Sequence, residues 1–337
     1  MLLSAADPEN IQKAAAILRQ GGLVAFPTET VYGLGADVFN EKAVCRIFEA
    51  KKRPTFDPLI VHVASVKEAM ALWLETPPQA KALMKAFWPG PLTLVLPKVP
   101  KVPDVVTSGL PTVAVRFPKN DYALALIRAT GHPIAAPSAN LFGYTSPTTA
   151  AHVYEDVGDK VDLVLDGGDS VVGLESTVVK VLPDGCEILR LGVVTPEDIA
   201  KIVPLKKPAR SAAVESPGQL ETHYAPWTPF YLLTGSWEEC GEKAQVLLKT
   251  EQEKKQAPLC AGLITFSGTK HPGAFESVQT LSEKGDLSEA ASRLFQAIRN
   301  LDKMHLDLLL AEPAPEKGIG LAIMDRLKKA SGGKVLC

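Results

Sequence analysis

The chain of 337 residues lacks a surplus of positive charge: 36 Lys and Arg face 38 Asp and Glu, for a formal net charge of −2. Proteins whose main task is gripping nucleic-acid backbone carry a basic excess, so bulk RNA or DNA binding is disfavoured. A cysteine framework is also missing. Cys45, Cys186, Cys240, Cys260 and Cys337 are odd in number, widely spaced and without a CxxC, which reads as reduced thiols rather than a disulfide scaffold or zinc site. The six histidines form no HExxH or HxH cluster. No apolar run approaches the roughly 18 residues of a membrane span. Acidic residues appear by Asp7 and Glu9, too early for a secretory h-region. A soluble, cytoplasmic protein is expected. There is no GxxxxGK[ST] loop, and Gly33-Leu-Gly35 is not followed by the third glycine of a dinucleotide fingerprint. A nucleotide, if used, must be held another way.

What is present is an alternation of helix and strand signals over residues 1–204. Asp7 caps a helix begun by Pro8 and stopped by Gly21-Gly22. Asn40 caps another, ending near Ala50. Short apolar runs at 23–26, 59–64, 92–96, 112–117, 134–136, 163–165, 176–182 and 186–191 read as buried strands. Several follow one another without an intervening helix, which predicts a mixed rather than a purely parallel sheet. Residues 205–229 are proline-rich and aperiodic, as in a linker. Residues 230–337 return to strand–helix alternation, with strands at 230–233, 262–266 and 306–311 and helices near 237–249, 287–300 and 321–330. That pattern predicts a smaller three-layer, Rossmann-like α/β domain.

The chemistry concentrates in the first domain. The strand ending at Phe26 opens into Pro27-Thr-Glu-Thr-Val-Tyr-Gly-Leu-Gly35. A strand-to-loop exit explains an isolated Thr-Glu-Thr; the functional alternative is a hydroxyl-rich cradle for a small zwitterion. Lys51-Lys52-Arg53 favours the dipole of a helix end, but Pro54 stops that helix and aims the triplet at the next strand. His62 lies within that strand, where a histidine is more often a core residue than a catalyst. Arg116 and Arg190 are each embedded in an apolar strand. A buried guanidinium costs several kcal/mol unless an anion meets it. Either a protein carboxylate or an anionic ligand serves; two such arginines beside Lys51 and Arg53 favour the ligand. Small polar loops, Ala136-Pro-Ser-Ala-Asn140, Tyr144-Thr-Ser-Pro147 and Gly173-Leu-Glu-Ser-Thr177, supply hydroxyls and free N–H groups at strand ends.

Taken in order, FPTETVYGLGAD, KxRP with PLIVHV, FWPGPLTLVL, VAVRFP, PSAN, DGG with ESTVV, and ILRLG resemble the YrdC family of L-threonylcarbamoyladenylate synthases. Ser216-Pro-Gly with His223-Tyr-Ala-Pro226, and the ending Gly318–Leu327, resemble its longer, two-domain members. The resemblance implies a twisted mixed-sheet catalytic domain with a central cavity. It also implies synthesis of L-threonylcarbamoyl-AMP and pyrophosphate from L-threonine, bicarbonate or CO2, and ATP. The product would supply a downstream tRNA threonylcarbamoyltransferase machinery, without tight tRNA binding by this chain and without a membrane. Mg2+ would arrive with ATP, with no protein metal site and no tightly held organic cofactor. By matched position, Thr30, His62, Arg116, Ala136 and Ser176 would form the threonine pocket. Arg53, Asp57, Thr112, Ser138, Asn140, Ser146 and Arg190 would surround ATP, Lys51 and Arg53 would carry catalysis, and Tyr224 would fold over the nucleotide as part of a lid. Two departures stand out. Asp57 occupies a position where the family commonly has asparagine, placing a carboxylate beside a triphosphate. Gln219-Leu-Glu-Thr222 lacks the basic residues of some members. The weighed alternatives are an RNA-binding or ribosome-maturation protein using the same cationic cavity, and, more remotely, a carbamoyltransferase.

Overall fold

The computed structural model describes residues 1–207, 214–220, 223–235, 237–268 and 275–336. They cluster in two compact units: Met1–Phe142 with Ser146–Leu220, and Gly143–Thr145 with Glu221–Cys337.

In the first unit the elements run β1 (Leu2–Ser4), α1 (Pro8–Arg19), β2 (Val24–Phe26), β3 (Gly33–Asp37), α2 (Glu41–Lys51), β4 (Ile60–His62), α3 (Val66–Met70), α4 (Pro78–Phe87) and β5 (Leu92–Pro97). They continue through α5 (Asp104–Thr107), β6 (Thr112–Arg116), α6 (Asp121–Thr130), β7 (Ile134–Ala135), α7 (Ala150–Val157), β8 (Leu163–Asp166), β9 (Thr177–Leu182), β10 (Gly185–Arg190) and α8 (Pro196–Ala200). The sheet is ten-stranded among the described residues, in the order β1-β8-β2-β3-β7-β4-β6-β5-β9-β10. It is mixed, as the sequence predicts: β4 runs parallel to β6, whereas β5 is antiparallel to β6 and parallel to β9. The helix caps are those read from the sequence. The Asp7 side chain accepts from Glu9 N at 2.9 Å and that of Asn40 from Ala43 N at 3.1 Å, each satisfying a free N–H of the first turn.

Side-chain alternation divides the sheet into two faces. Ala25, Leu34, Val61, Leu94, Val115 and Val179 enter the main core. Val24, Phe26 and Ile134 join the cluster that includes α1 and α6 residues, while Ile60, Val95, Ala114 and Val178 form a separate apolar patch. His62, Thr93 and Arg116 stand two residues along from Ile60, Val95 and Ala114, on the same face.

The expectation of an open loop at Gly33-Leu-Gly35 is corrected: these residues are strand β3, antiparallel to β2. The glycines serve packing. A Cβ on Gly35 would lie 2.7 Å from Ile134 Cγ2 and 2.8 Å from Phe26 Cε1, inside van der Waals contact.

The second unit contains β11 (Phe230–Leu233), α9 (Trp237–Glu253), β12 (Ala261–Thr265), β13 (Ser277–Thr280), α10 (Leu287–Asp302), β14 (Leu308–Ala311), α11 (Gly320–Ser331) and β15 (Val335–Leu336). Its five strands pair in parallel, in the order β13-β12-β14-β11-β15. Trp237, Cys240 and Ala244 of α9 pack with Leu233, Leu263 and Leu310. Among the described residues no helix is long and apolar enough to cross a membrane. Cys45, Cys186 and Cys260 are free, but Cys240 is disulfide-bonded. That corrects the reading of thiols throughout. Pairing depends on distance in the fold, and scattered spacing in sequence carries no signal of it.

Part of the proline-rich stretch, residues 208–213 and 221–222, lies outside the described residues. Residues 214–220 cluster with the first unit: Lys180 Nζ lies 2.5 Å from Glu215 Oε2, Arg190 Nη1 donates to Pro217 O at 3.3 Å, and the Gln219 side chain caps the N–H groups of Glu215 and Ser216. From residue 221 onward the chain belongs to the second unit.

Candidate active site

The cationic triplet divides at its middle residue. Lys52 takes the left-handed conformation that more often ends a helix with glycine, φ 53°. The turn buries Lys51 and Arg53 while Lys52 stays exposed. Lys51 Nζ donates to Ser138 O at 2.6 Å, to Asn140 O, and to Asn140 Oδ1 at 3.4 Å. Lys51 thus fastens the end of α2 to the loop after β7. Burial, followed by the charge of Arg53, pulls its pKa well below the ordinary lysine value.

Arg53 donates from Nε to Asp57 O and from Nη2 to Pro58 O, both at 3.0 Å, and its Nη2 lies 2.8 Å from Asp57 Oδ1. The departure at Asp57 therefore resolves into a buried ion pair with Arg53. Burial still raises the Asp57 pKa, against the lowering influence of Arg53, Lys51 and Arg190.

Arg116 also meets a protein carboxylate. Its Nη1 donates to Thr30 Oγ1 at 2.7 Å and its Nη2 lies 2.8 Å from Glu29 Oε2. Thr30 Oγ1 is in turn 2.9 Å from Thr28 Oγ1, which donates to Val31 O at 2.6 Å. In register, Arg116 stands beside His62 of β4 on one side and Thr93 of β5 on the other. Thr93 Oγ1 is 2.8 Å from Ser176 Oγ, and Arg190 donates to Ser176 O from Nε and Nη2 and to Ser176 Oγ from Nη2. Ala136 N donates to Ile60 O, which sets Ala136 beside β4, two residues along from His62. Hydrogen bonds and register thus gather Thr30, His62, Arg116, Ala136, Ser176 and Arg190 into one polar cluster.

His62 is buried, with Phe26 edge-on at 6.0 Å. Burial first and Arg116 second lower its pKa to about 3, so it is neutral at physiological pH. Ser146 donates to Glu175 Oε1, next to Ser176, and Thr112 opens β6 on the face of Ala114 and Arg116. Tyr224 is placed with the second unit. It is buried at φ 64°, stacked on Phe295 at 5.5 Å, with the Arg326 guanidinium 4.9 Å from its ring.

Sequence reasoning missed Glu29, Thr93 and Glu175. Glu29 sits inside the Thr-Glu-Thr stretch, between the two hydroxyls that carry the cradle reading. Thr93 is legible as the one polar residue within the apolar run Leu92–Leu96.

Residues 16–192 match the Sua5/YciO/YrdC family model, described as telomere recombination, and residues 194–332 match that of the threonylcarbamoyl-AMP synthase C-terminal domain. A Pyrococcus abyssi protein named threonylcarbamoyl-AMP synthase is 42% identical across 97% of this chain and 95% of its own. A Bacillus subtilis protein of that name is 43% identical across 99% and 96%. The crystal structure of P. abyssi Sua5 complexed with L-threonine superposes with a TM-score of 0.90 at 41% identity, covering 99% of this chain and 98% of that one.

Proposed function

The chain belongs to the Sua5/YciO/YrdC family, and from that premise we propose that it makes L-threonylcarbamoyl-AMP and pyrophosphate from L-threonine, bicarbonate or CO2, and ATP. The product would serve threonylcarbamoyladenosine formation in tRNA. In class the enzyme is a nucleotidyltransferase acting in the cytoplasm. The observation that carries the reading is the continuous run Thr30–Arg116–Thr93–Ser176–Arg190. It joins three hydroxyls and one arginine to a second arginine, the residue type that binds phosphate and carboxylate bidentately.

The amine of threonine is carboxylated to a carbamate, whose oxygen attacks the α-phosphorus of ATP as pyrophosphate departs. Positioning and charge neutralisation supply most of the acceleration in such a step. Thr30, His62, Arg116, Ala136 and Ser176 hold the amino acid, with Arg116 meeting its carboxylate. Neutral His62 adds polarity without a second positive charge. Arg53, Thr112, Ser138, Asn140, Ser146 and Arg190 surround the nucleotide, and Lys51 fixes the Ser138–Asn140 loop in place. The buried carboxylates nearby are each met inside the protein: Asp57 and Glu29 lie against Arg53 and Arg116, and Glu175 accepts from Ser146. Mg2+ would therefore be held by phosphate oxygens and water, as it commonly is. Tyr224 would fold over the nucleotide as part of a lid.

Protein incubated with L-threonine, bicarbonate and Mg-ATP should yield a species with the mass of threonylcarbamoyl-AMP. The species should carry isotope from labelled bicarbonate. Its absence under those conditions overturns the reading.

A further inference from the structure

Glu29 is 6% exposed, and neither carboxylate oxygen accepts a hydrogen bond. Among the described residues its close partner is Arg116 Nη2 at 2.8 Å; that contact is close without being an aligned hydrogen bond, since Nη2 and Nε of Arg116 are likewise without a hydrogen-bond partner there. Buried polar groups are nearly always satisfied, so two open acceptors facing two open donors need a reason. The loop that carries Glu29 is not loose. Val172 N donates to Glu29 O at 2.9 Å and Ser170 Oγ to Thr28 O at 3.1 Å.

The hydroxyls fix what else the cluster offers. Thr28 gives its proton to Val31 O, so Thr28 Oγ1 must accept from Thr30. Thr30 Oγ1 then accepts from Arg116 and is left with acceptor capacity only. The open groups are therefore acceptors at Glu29 and Thr30 and donors on one edge of Arg116. That set is complementary to a zwitterion: a carboxylate for the guanidinium edge and an ammonium for the carboxylate.

Building on the threonine-site reading above, we propose that Glu29 is the residue that selects an α-amino acid by receiving the substrate's ammonium, while holding Arg116 in orientation for the substrate's carboxylate. The Glu29–Arg116 pair is then a stand-in for the bound substrate, each group keeping the other neutralised until the zwitterion arrives. A site built to meet an ammonium rejects an isostere lacking it, because a buried charge is otherwise left unanswered.

The test is calorimetric titration with L-threonine and with (2S,3R)-2,3-dihydroxybutanoate, which replaces the ammonium by a hydroxyl on the same skeleton. Wild-type protein is expected to prefer L-threonine by about 30-fold or more. Glu29→Gln should shrink that preference to about threefold or less. Glu29→Asp, which keeps the charge, should retain most of it. A merely structural role would weaken both ligands alike and leave their ratio unchanged. Wild-type protein that binds both ligands equally overturns the proposal without recourse to any variant. Binding of neither ligand overturns the threonine-site reading itself, and the proposal with it. Strong wild-type preference that survives in a folded Glu29→Gln protein overturns the Glu29 role alone.

Discussion

Lys51 and Asn140, 89 residues apart in the chain, are joined through both the backbone and the side-chain oxygen of Asn140. Removing the ammonium strands those oxygens and that of Ser138. Lys51→Met should cost on the order of 3 kcal/mol, since a buried acceptor left unsatisfied costs about 1–3 kcal/mol. It should also weaken ATP binding, because Ser138 and Asn140 lose their anchor. Urea denaturation and nucleotide titration measure the two effects. Lys52→Gly, one position along, should be neutral or mildly stabilising, as glycine adopts positive φ without strain.

The Arg53–Asp57 pair predicts a contrast between two substitutions. Asp57→Asn preserves shape and an acceptor oxygen while removing a negative charge near the proposed triphosphate position; it should fold normally and bind ATP more tightly. Asp57→Ala removes the acceptor oxygen as well as the counter-ion of Arg53, and breaking a buried pair with nothing in its place costs roughly 3–5 kcal/mol. Thermal melts and ATP titration of both variants check the order. Equal loss in the two would mean that the pair is not the cause.

His62 makes a pH prediction. Its folded-state pKa of about 3 lies below the ordinary histidine value. Between the two the unfolded chain binds a proton that the folded protein does not, so stability falls as pH drops from about 6.5 toward 3, by up to about 1.4 kcal/mol per unit. Above 6.5 the contribution is constant. In His62→Asn this component should vanish, flattening the acid limb of a denaturation series between pH 7 and 4.5.

How much of this was legible in sequence follows from where the signals reside. Asp7 and Asn40 announced their helices because a cap is a local matter, and the apolar runs announced their strands. Arg116 and Arg190 stood out because a charge inside an apolar strand must be answered. Their protein partners were not legible. Glu29 reaches Arg116 across scores of residues of sequence, and nothing local to Thr-Glu-Thr marks which of its three side chains turns toward a strand that is not yet in place. The three-residue β1 and two-residue β15 were missed because so short a segment carries no periodicity. Gly33–Asp37 was misread because glycine signals loops by conformation, whereas here it permits close approach of Phe26 and Ile134.

That last point is testable. Gly35→Ala places a methyl 2.7 Å from Ile134 Cγ2, and overpacking of this kind costs about 1–3 kcal/mol. A thermal melt lowered by several degrees, with ligand affinity lost only in proportion to unfolding, is the expected result. A melt equal to wild type would show that the sheet yields at this point.

The central claim is that one polar cluster in the first unit joins threonine, inorganic carbon and ATP. Pyrophosphate release tests it most directly. With Mg-ATP, L-threonine and bicarbonate all present, release should be steady. Omitting L-threonine, or stripping inorganic carbon from the buffer, should reduce it at least about tenfold, and Arg53→Ala should abolish it. Release that continues unchanged without threonine or bicarbonate, or no release with all three present, would contradict the account.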